Sequence, residues 1–216
     1  GILATNKGQD WTAIVAAFNQ LGYKVDFRLL DAADYGVPQH RERMFLVGHR
    51  SATPFLFPRP LVGPDSQYQT PHVSPREAFK GLRVRNQEAE NLKFEGGKYS
   101  HLLPEVPEGQ NYLFFTAKRG HPNPVFAYRS RFSDFLYKAH RDYPMKTIIA
   151  SPGKYTGPLH WDNRYFFISG YKAIQGFPQD YEFYGERASV VKQIGNSVSP
   201  KIAYCLAKAV AQQIFG

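Results

Sequence analysis

From Asp10 to Gly22 the sequence DWTAIVAAFNQLG places Trp11, Ile14, Val15, Phe18 and Leu21 on one stripe at helical spacing. That pattern predicts an amphipathic helix with Asp10 as its N-cap and Gly22 as a left-handed stop. The next residues, YKVDFRLLD, alternate apolar and polar from Tyr23 to Leu29, and RMFLVGHR from Arg43 reads as a shorter, more deeply buried strand. The connecting DAADYGVPQHRE is rich in Asp, Gly and Pro, which places its polar side chains at a sheet edge rather than in a core.

At Ser51 the texture changes. Pro54, Pro58, Pro60, Pro64, Pro71 and Pro75 interrupt any long periodicity, so a domain boundary is placed near residue 51. Ser74-Pro75-Arg76-Glu77 is a capping box with proline at the first helical position, predicting a short helix to about Gly81. Residues 82–163 combine turns at Gly96-Gly97 and Glu108-Gly109 with aromatic clusters and read as a small, irregular, mostly β domain. Order returns in the last third, with a segment near 167–175 and a shorter helix at 186–194. Ser199 as cap and Pro200 then open a final helix whose apolar face is Ile202, Ala203, Leu206, Ala209, Val210 and Ile214.

Composition narrows the classes. A chain of 216 residues with 43% hydrophobic content buries a sizeable core, and no apolar run approaches the length needed to span a bilayer. The single cysteine, Cys205, excludes an intrachain disulfide and a cysteine metal cluster, so a cytosolic compartment is expected. A net charge of +9, with the surplus concentrated after residue 50, favours a polyanionic partner. Phosphate-loop, dinucleotide-binding, serine-elbow and HExxH patterns are all missing and the seven histidines stand singly, so no metal site is expected. Cys205 lies on the apolar face of the last helix, where a thiol behaves as a small hydrophobe with a raised pKa.

Two stretches remain that local patterning leaves open. In Gln39-His40-Arg41-Glu42-Arg43, alternation sends Gln39, Arg41 and Arg43 to one side. These donors either converge on a ligand or form a charged strand edge that discourages aggregation. In Gln175-Gly176-Phe177-Pro178 and Gln193-Ile194-Gly195-Asn196-Ser197-Val198-Ser199-Pro200, Gly195 and Asn196 can take positive φ. The amides before the last helix suit a carboxylate or phosphate, or make an ordinary loop-to-helix turn.

In this order, and separated by a variable middle, these stretches resemble the C-terminal half of DNA cytosine-5 methyltransferases. The resemblance covers residues 1–50 and about 144–216. It implies an α/β fold: the C-terminal part of a Rossmann-like methyltransferase domain (1–50 and 164–216) with a target recognition domain (51–163) between. By the same resemblance the enzyme flips a cytosine out of duplex DNA and methylates its C5 with S-adenosylmethionine. Arg43 is expected on the cytosine O2, with Gln39 and Arg41 ordering the catalytic loop and nearby backbone. Asn196, Ser197 and Val198 look like the turn over the methionine end of the cofactor. Candidates for DNA contact are Lys118, Arg119, Arg129 and Arg131, beside His121 and Asn123, in a basic and aromatic interleave. Thr147, in the place of a family Thr-Leu pair, and Arg164, matching a family arginine, join them.

The family's Pro-Cys nucleophile, Glu-Asn-Val acid and Phe-x-Gly-x-Gly cofactor loop do not occur here. The resemblance therefore implies half of a split restriction-modification enzyme, inactive alone, whose second chain brings those segments, or a piece of one longer polypeptide. Double-stranded DNA is its expected partner, and a bacterial cytoplasm, at the nucleoid, its expected location. A non-catalytic DNA-binding specificity module and a tRNA cytosine-5 methyltransferase homologue are the alternatives. One departure stands out: Ser169-Gly170 replaces an Arg-Glu pair that, in the family, helps lock the recognition domain to the catalytic one.

Overall fold

The computed structural model describes residues 5–82, 92–130 and 132–215, which leaves the candidate Arg131 outside the described residues. Helix α1 (Gln9–Gln20) carries Trp11, Ile14, Val15 and Phe18 of the predicted stripe, while Leu21 lies past its end and is exposed; its N-cap is Gly8, in the left-handed region, and Asp10 lies inside the first turn without capping it. Gly22 takes φ +77°, the reversal into the following strand that an L side chain resists. Strands β1 (Lys24–Asp31) and β2 (Glu42–His49) pair antiparallel, with Leu30 opposite Arg43 and Asp31 opposite Glu42. Gly48 makes room for α1, because a Cβ there would meet the Phe18 ring at 2.9 Å.

The ribbon is less buried than its hydrophobic pattern predicts. Most of β2 is half-buried, while Phe27 and Leu29 of β1 are about half exposed. Among the described residues the sheet has two strands only, and α1 covers it in part: the Trp11 ring meets Phe27 edge-on at 4.6 Å, yet both Phe27 and Leu29 stay about half exposed. The intervening loop departs in the opposite direction. Asp31 caps a 3₁₀ turn, Ala32–Tyr35, and Ala32, Ala33, Tyr35, Val37, Gln39 and Arg41 are all buried, so this is an inner segment rather than a solvated edge.

The capping box forms as predicted: Ser74 and Glu77 exchange side-chain and backbone hydrogen bonds at the start of α2 (Pro75–Ala78). The mostly β expectation for the middle is not met. Its described residues form 3₁₀ turns at Ser100–Glu105, Tyr112–Phe115 and Ala117–Arg119, with single bridges such as Phe135 to Thr156 in place of ladders. Prolines remove the ladder donors, and the stretch is held by aromatic contacts instead. Tyr99, Tyr112, Phe126, Phe135 and Tyr155 meet edge-on at 5.2 to 5.9 Å.

Helices α3 (Ile168–Gln175), α4 (Arg187–Asn196) and α5 (Pro200–Val210) follow. Ser199 is the backbone N-cap of α5, yet its hydroxyl makes no capping bond and is buried without a partner among the described residues. Three apolar clusters result. One joins Ala139, Met145 and Ile148 to α3 and α4, one fills the middle around Phe94, Leu103 and Phe115, and a small one ties Leu30 and Tyr35 to Ile202 of α5. Among the described residues no helix is long and apolar enough to cross a membrane.

Candidate functional site

Strand alternation predicted one surface for Gln39, Arg41 and Arg43, but the three occupy different environments. Gln39 is fully buried. Its Oε1 accepts the Ile148 backbone N–H at 2.7 Å, and its Nε2 donates to Gln175 Oε1 at 2.7 Å. Gln175, also fully buried at the end of α3, donates in turn to the carbonyl and hydroxyl of Ser197, at 2.9 and 3.0 Å. Arg41 Nη2 closes the network on the Gly195 and Ser197 carbonyls at 2.9 and 3.0 Å. Four stretches far apart in sequence are thereby joined by buried amide and guanidinium bonds, which are costly to leave unmade.

Alternation fails because the chain is not yet a strand there. Gln39 forms a single bridge with Met145, whose N–H donates to the Pro38 carbonyl, and β2 begins only at Glu42. Burial, with Arg43 nearby, lowers the Arg41 pKa to about 10, so the group stays charged at neutral pH. Its Nε and Nη1 are buried without partners among the described residues, and so is Ser199 Oγ. Arg41 and Ser199 both line a water-sized gap with Arg43, Phe45 and Val198.

Arg43 is exposed and donates to the Glu42 carbonyl at 2.7 Å, its one hydrogen bond among the described residues. It opens onto a second hollow, a shallow cleft of about 420 Å³ lined by Asp31, His40, Glu42, Arg43 and Thr147. Thr147 is held there by donating to the His40 carbonyl at 2.8 Å. Sequence reasoning missed the Asp31–His40 pair that forms the cleft's wall. Asp31 Oδ1 accepts the Ala33 and Arg41 backbone N–H groups, and Oδ2 lies 2.7 Å from His40 Nδ1. Burial pushes the Asp31 carboxyl up, but these hydrogen bonds outweigh it and hold it below the usual carboxylate range. The only advance signal was two complementary residues flanking one turn.

The Gly195-Asn196 turn also differs from expectation. Both residues are helical members of α4, and neither takes positive φ. Gly195 is required for a different reason: a Cβ would stand 2.7 Å from Ala150 Cα and 2.9 Å from its nitrogen. Gly195→Ala is expected to lower stability by about 1–3 kcal/mol, read as a reduced urea midpoint, because the obstructing atoms are backbone and cannot rotate away. Asn196 is exposed, with no side-chain partner among the described residues, and Val198 is half exposed. Ser197 is engaged internally, its hydroxyl donating to the Ile194 carbonyl at 2.7 Å.

The basic loop is tied down by Phe115, whose carbonyl accepts the Val125 and Phe126 N–H groups. Lys118, Arg119 and Arg129 project from it as exposed side chains. The Lys118 ammonium sits 3.7 Å above the Tyr128 ring, while the Arg129 guanidinium is 5.8 Å from Phe132. No acidic residue occurs between Ala117 and Phe132. Arg164 is half-buried and occupied with the Tyr165 carbonyl and the His160 ring. At Ser169-Gly170 an aromatic stack fills the space: a Cβ on Gly170 would meet Phe79 at 3.4 Å and Phe166 at 3.6 Å. His160 stacks on Phe79 in the same group, and burial lowers its pKa to about 3, leaving it a neutral ring.

Among the described residues no group of three or more His, Cys, Asp or Glu could hold a metal ion. Comparison with known proteins places the chain in a lineage. The chain is 37% identical over 218 residues to Type II methyltransferase M.SacI of Streptomyces achromogenes, covering 93% of this chain and 55% of that protein. It is 33% identical over 214 residues to Type II methyltransferase M.NgoFVII of Neisseria gonorrhoeae, covering 97% and 56%. The chain thus spans a little over half the length of these curated relatives. A solved structure described as a prophage-encoded DNA modification methyltransferase (E. coli) superposes with a TM-score of 0.58 at 20% identity, over 99% of this chain and 67% of that one. It is a match of fold, as is the S. pombe Dnmt2 methyltransferase, with a TM-score of 0.51 at 13% identity over 97% and 62%. The sequence profile of the C-5 cytosine-specific DNA methylases matches residues 1–212, and with the two Type II relatives it establishes that this chain belongs to that family.

Proposed function

We propose that these residues form the recognition-bearing half of a DNA cytosine-5 methyltransferase, holding an extruded cytosine for a thiolate that lies outside them. The observation that supports this most is the network of Gln39, Gln175, Ser197 and Arg41. It draws the family's separated motifs into one body and leaves Arg43 free at a cleft beside it.

Chemistry at C6 of cytosine places negative charge on the ring as sulfur adds, and that charge reaches O2. A guanidinium with one internal hydrogen bond has donors left to meet it. Arg41 and Gln39 act by position, fixing the backbone from which Arg43 projects. Cys205 is a poor candidate for the thiolate: it packs half-buried among Tyr35, Ile202 and Leu206, and burial raises its pKa.

S-adenosylmethionine, when bound, supplies an electrophilic methyl group. The Asn196 amide, exposed without a side-chain partner among the described residues, fits its polar amino-acid end, and the apolar Val198 side chain, which lines the Arg41 gap, fits its carbon chain. Ser197 serves instead as an internal brace. The exposed Leu21 and Leu29, beside the half-exposed Trp11–Phe27 ring pair, fit a role as docking surface for further strands.

The test is reconstitution. Mixed with a polypeptide carrying the Pro-Cys and Glu-Asn-Val segments and labelled cofactor, the chain is expected to direct label to C5 of cytosine in duplex DNA, and alone to transfer none. Absence of transfer from the mixture overturns the reading. Cys205→Ser is expected to leave the reconstituted rate unchanged, and a collapse of that rate would return the nucleophile to this chain. Neutralising Lys118, Arg119 or Arg129 is expected to reduce the salt slope of duplex binding by about 0.9 for each phosphate that the side chain had neutralised, as titrations at several ionic strengths would show.

A further inference from the structure

The cleft beside Arg43 holds a titratable group that the proposed chemistry does not use. His40 is half exposed, its Nδ1 is bonded to Asp31, and its Nε2 has no partner among the described residues. Three features fix the ring. Asp31 is itself pinned by two backbone N–H groups, the His40 carbonyl accepts from Thr147, and the His40 N–H donates to the Met145 carbonyl at 2.8 Å. The His72 ring stands against it edge-on, 5.6 Å between centroids, and is bonded to Asp34 at 2.9 Å. The charged groups facing His40 are therefore Asp31, Asp34 and Glu42, with Arg43 across the cleft and the His72–Asp34 pair behind.

We propose that His40 is a contact for a DNA phosphodiester at the mouth of the Arg43 cleft, made by its protonated ring and withdrawn when the ring loses its proton. This rests on the DNA methyltransferase reading above and adds a residue to it. The cleft's own charges favour this over a contact with a neutral base edge. With His40 neutral, the two carboxylates of Asp31 and Glu42 face one guanidinium and repel a phosphate. With His40 charged, the lining is balanced and two cationic N–H groups, from His40 and Arg43, face the opening.

The hydrogen bond to Asp31 holds the ring's pKa above the ordinary imidazole value, against the opposing effect of partial burial. The contribution of the charged pair is thus complete below the ordinary value and disappears as pH rises through the raised one. Binding of DNA by this contact is expected to weaken across that same interval.

The experiment measures affinity for a short mixed-sequence duplex from pH 6 to 8.5 at several salt concentrations. It uses the chain joined to the polypeptide that carries the thiol. The parent should bind about tenfold more tightly at pH 6 than His40→Gln and nearly equally at pH 8.5. The parent's salt slope should exceed that of the variant by about 0.9 at pH 6 only. His40→Lys should keep tight binding without pH dependence, and Asp31→Asn should move the midpoint to lower pH. Equal affinity and slope for the parent and His40→Gln at pH 6, or an unmoved midpoint in Asp31→Asn, overturns the contact while leaving the methyltransferase reading standing. If no variant binds DNA at any pH, both fail.

Discussion

Arg43→Ala is expected to slow methyl transfer in the reconstituted enzyme by about 10²–10³-fold while duplex affinity falls far less, by about tenfold at most. The side chain is exposed and gives a single hydrogen bond to the neighbouring Glu42 carbonyl, so its removal breaks no packing and leaves no buried atom unpaired among the described residues. The loss falls on the reacting state, where charge builds on the base, rather than on the ground-state complex. Single-turnover rates at saturating DNA would show it directly, with the urea midpoint of the chain unchanged. An equal loss in rate and affinity would make Arg43 a binding residue and remove its assignment to the base. Arg41→Ala offers the contrast. Its guanidinium is buried and holds the Gly195 and Ser197 carbonyls, so that variant should lose stability together with rate.

How far such distinctions could be read from sequence depends on the scale of the signal. Period and end chemistry located α1, both strands, the Ser74–Glu77 box and the last two helices, because stripes, a capping box and Pro-at-N1 act within one turn. They misplaced what depends on tertiary surroundings. Gly195 suggested a left-handed turn, whereas its lack of a side chain admits the Ala150 backbone. Gln39-His40-Arg41 looked like a strand edge, and instead the segment bends into the interior, where Gln175 and Ser197 meet it. The turns and aromatic clusters of residues 82–163 suggested a mostly β domain, yet edge-to-face ring packing holds its described residues with single bridges in place of ladders. Ser169-Gly170 carries the same lesson in reverse. What looked like a missing ion pair is a space filled by Phe79, Phe166 and a neutral His160, with Arg187 donating to the Phe166 carbonyl.

The buried amide network makes the largest stability prediction. Gln39→Leu keeps the volume but strands the Ile148 N–H and Gln175 Oε1, both in the interior, and a buried polar atom left unpaired costs about 1–3 kcal/mol. For two such atoms the expected loss is about 2–6 kcal/mol, at its upper end enough to unfold a domain of ordinary marginal stability under mild denaturant. Gln175→Leu should cost less, because Ser197's carbonyl retains Arg41 as a donor. In the double variant the facing amide atoms disappear together, leaving the Ile148 N–H as the main unpaired group. Its cost should then fall below the sum of the single losses by about 1–3 kcal/mol. Urea unfolding of the four proteins measures this coupling. Strict additivity would mean that the two glutamines do not act as a unit, and the joint they make between the motif carrying Arg43 and the end of α3 would lose its physical basis.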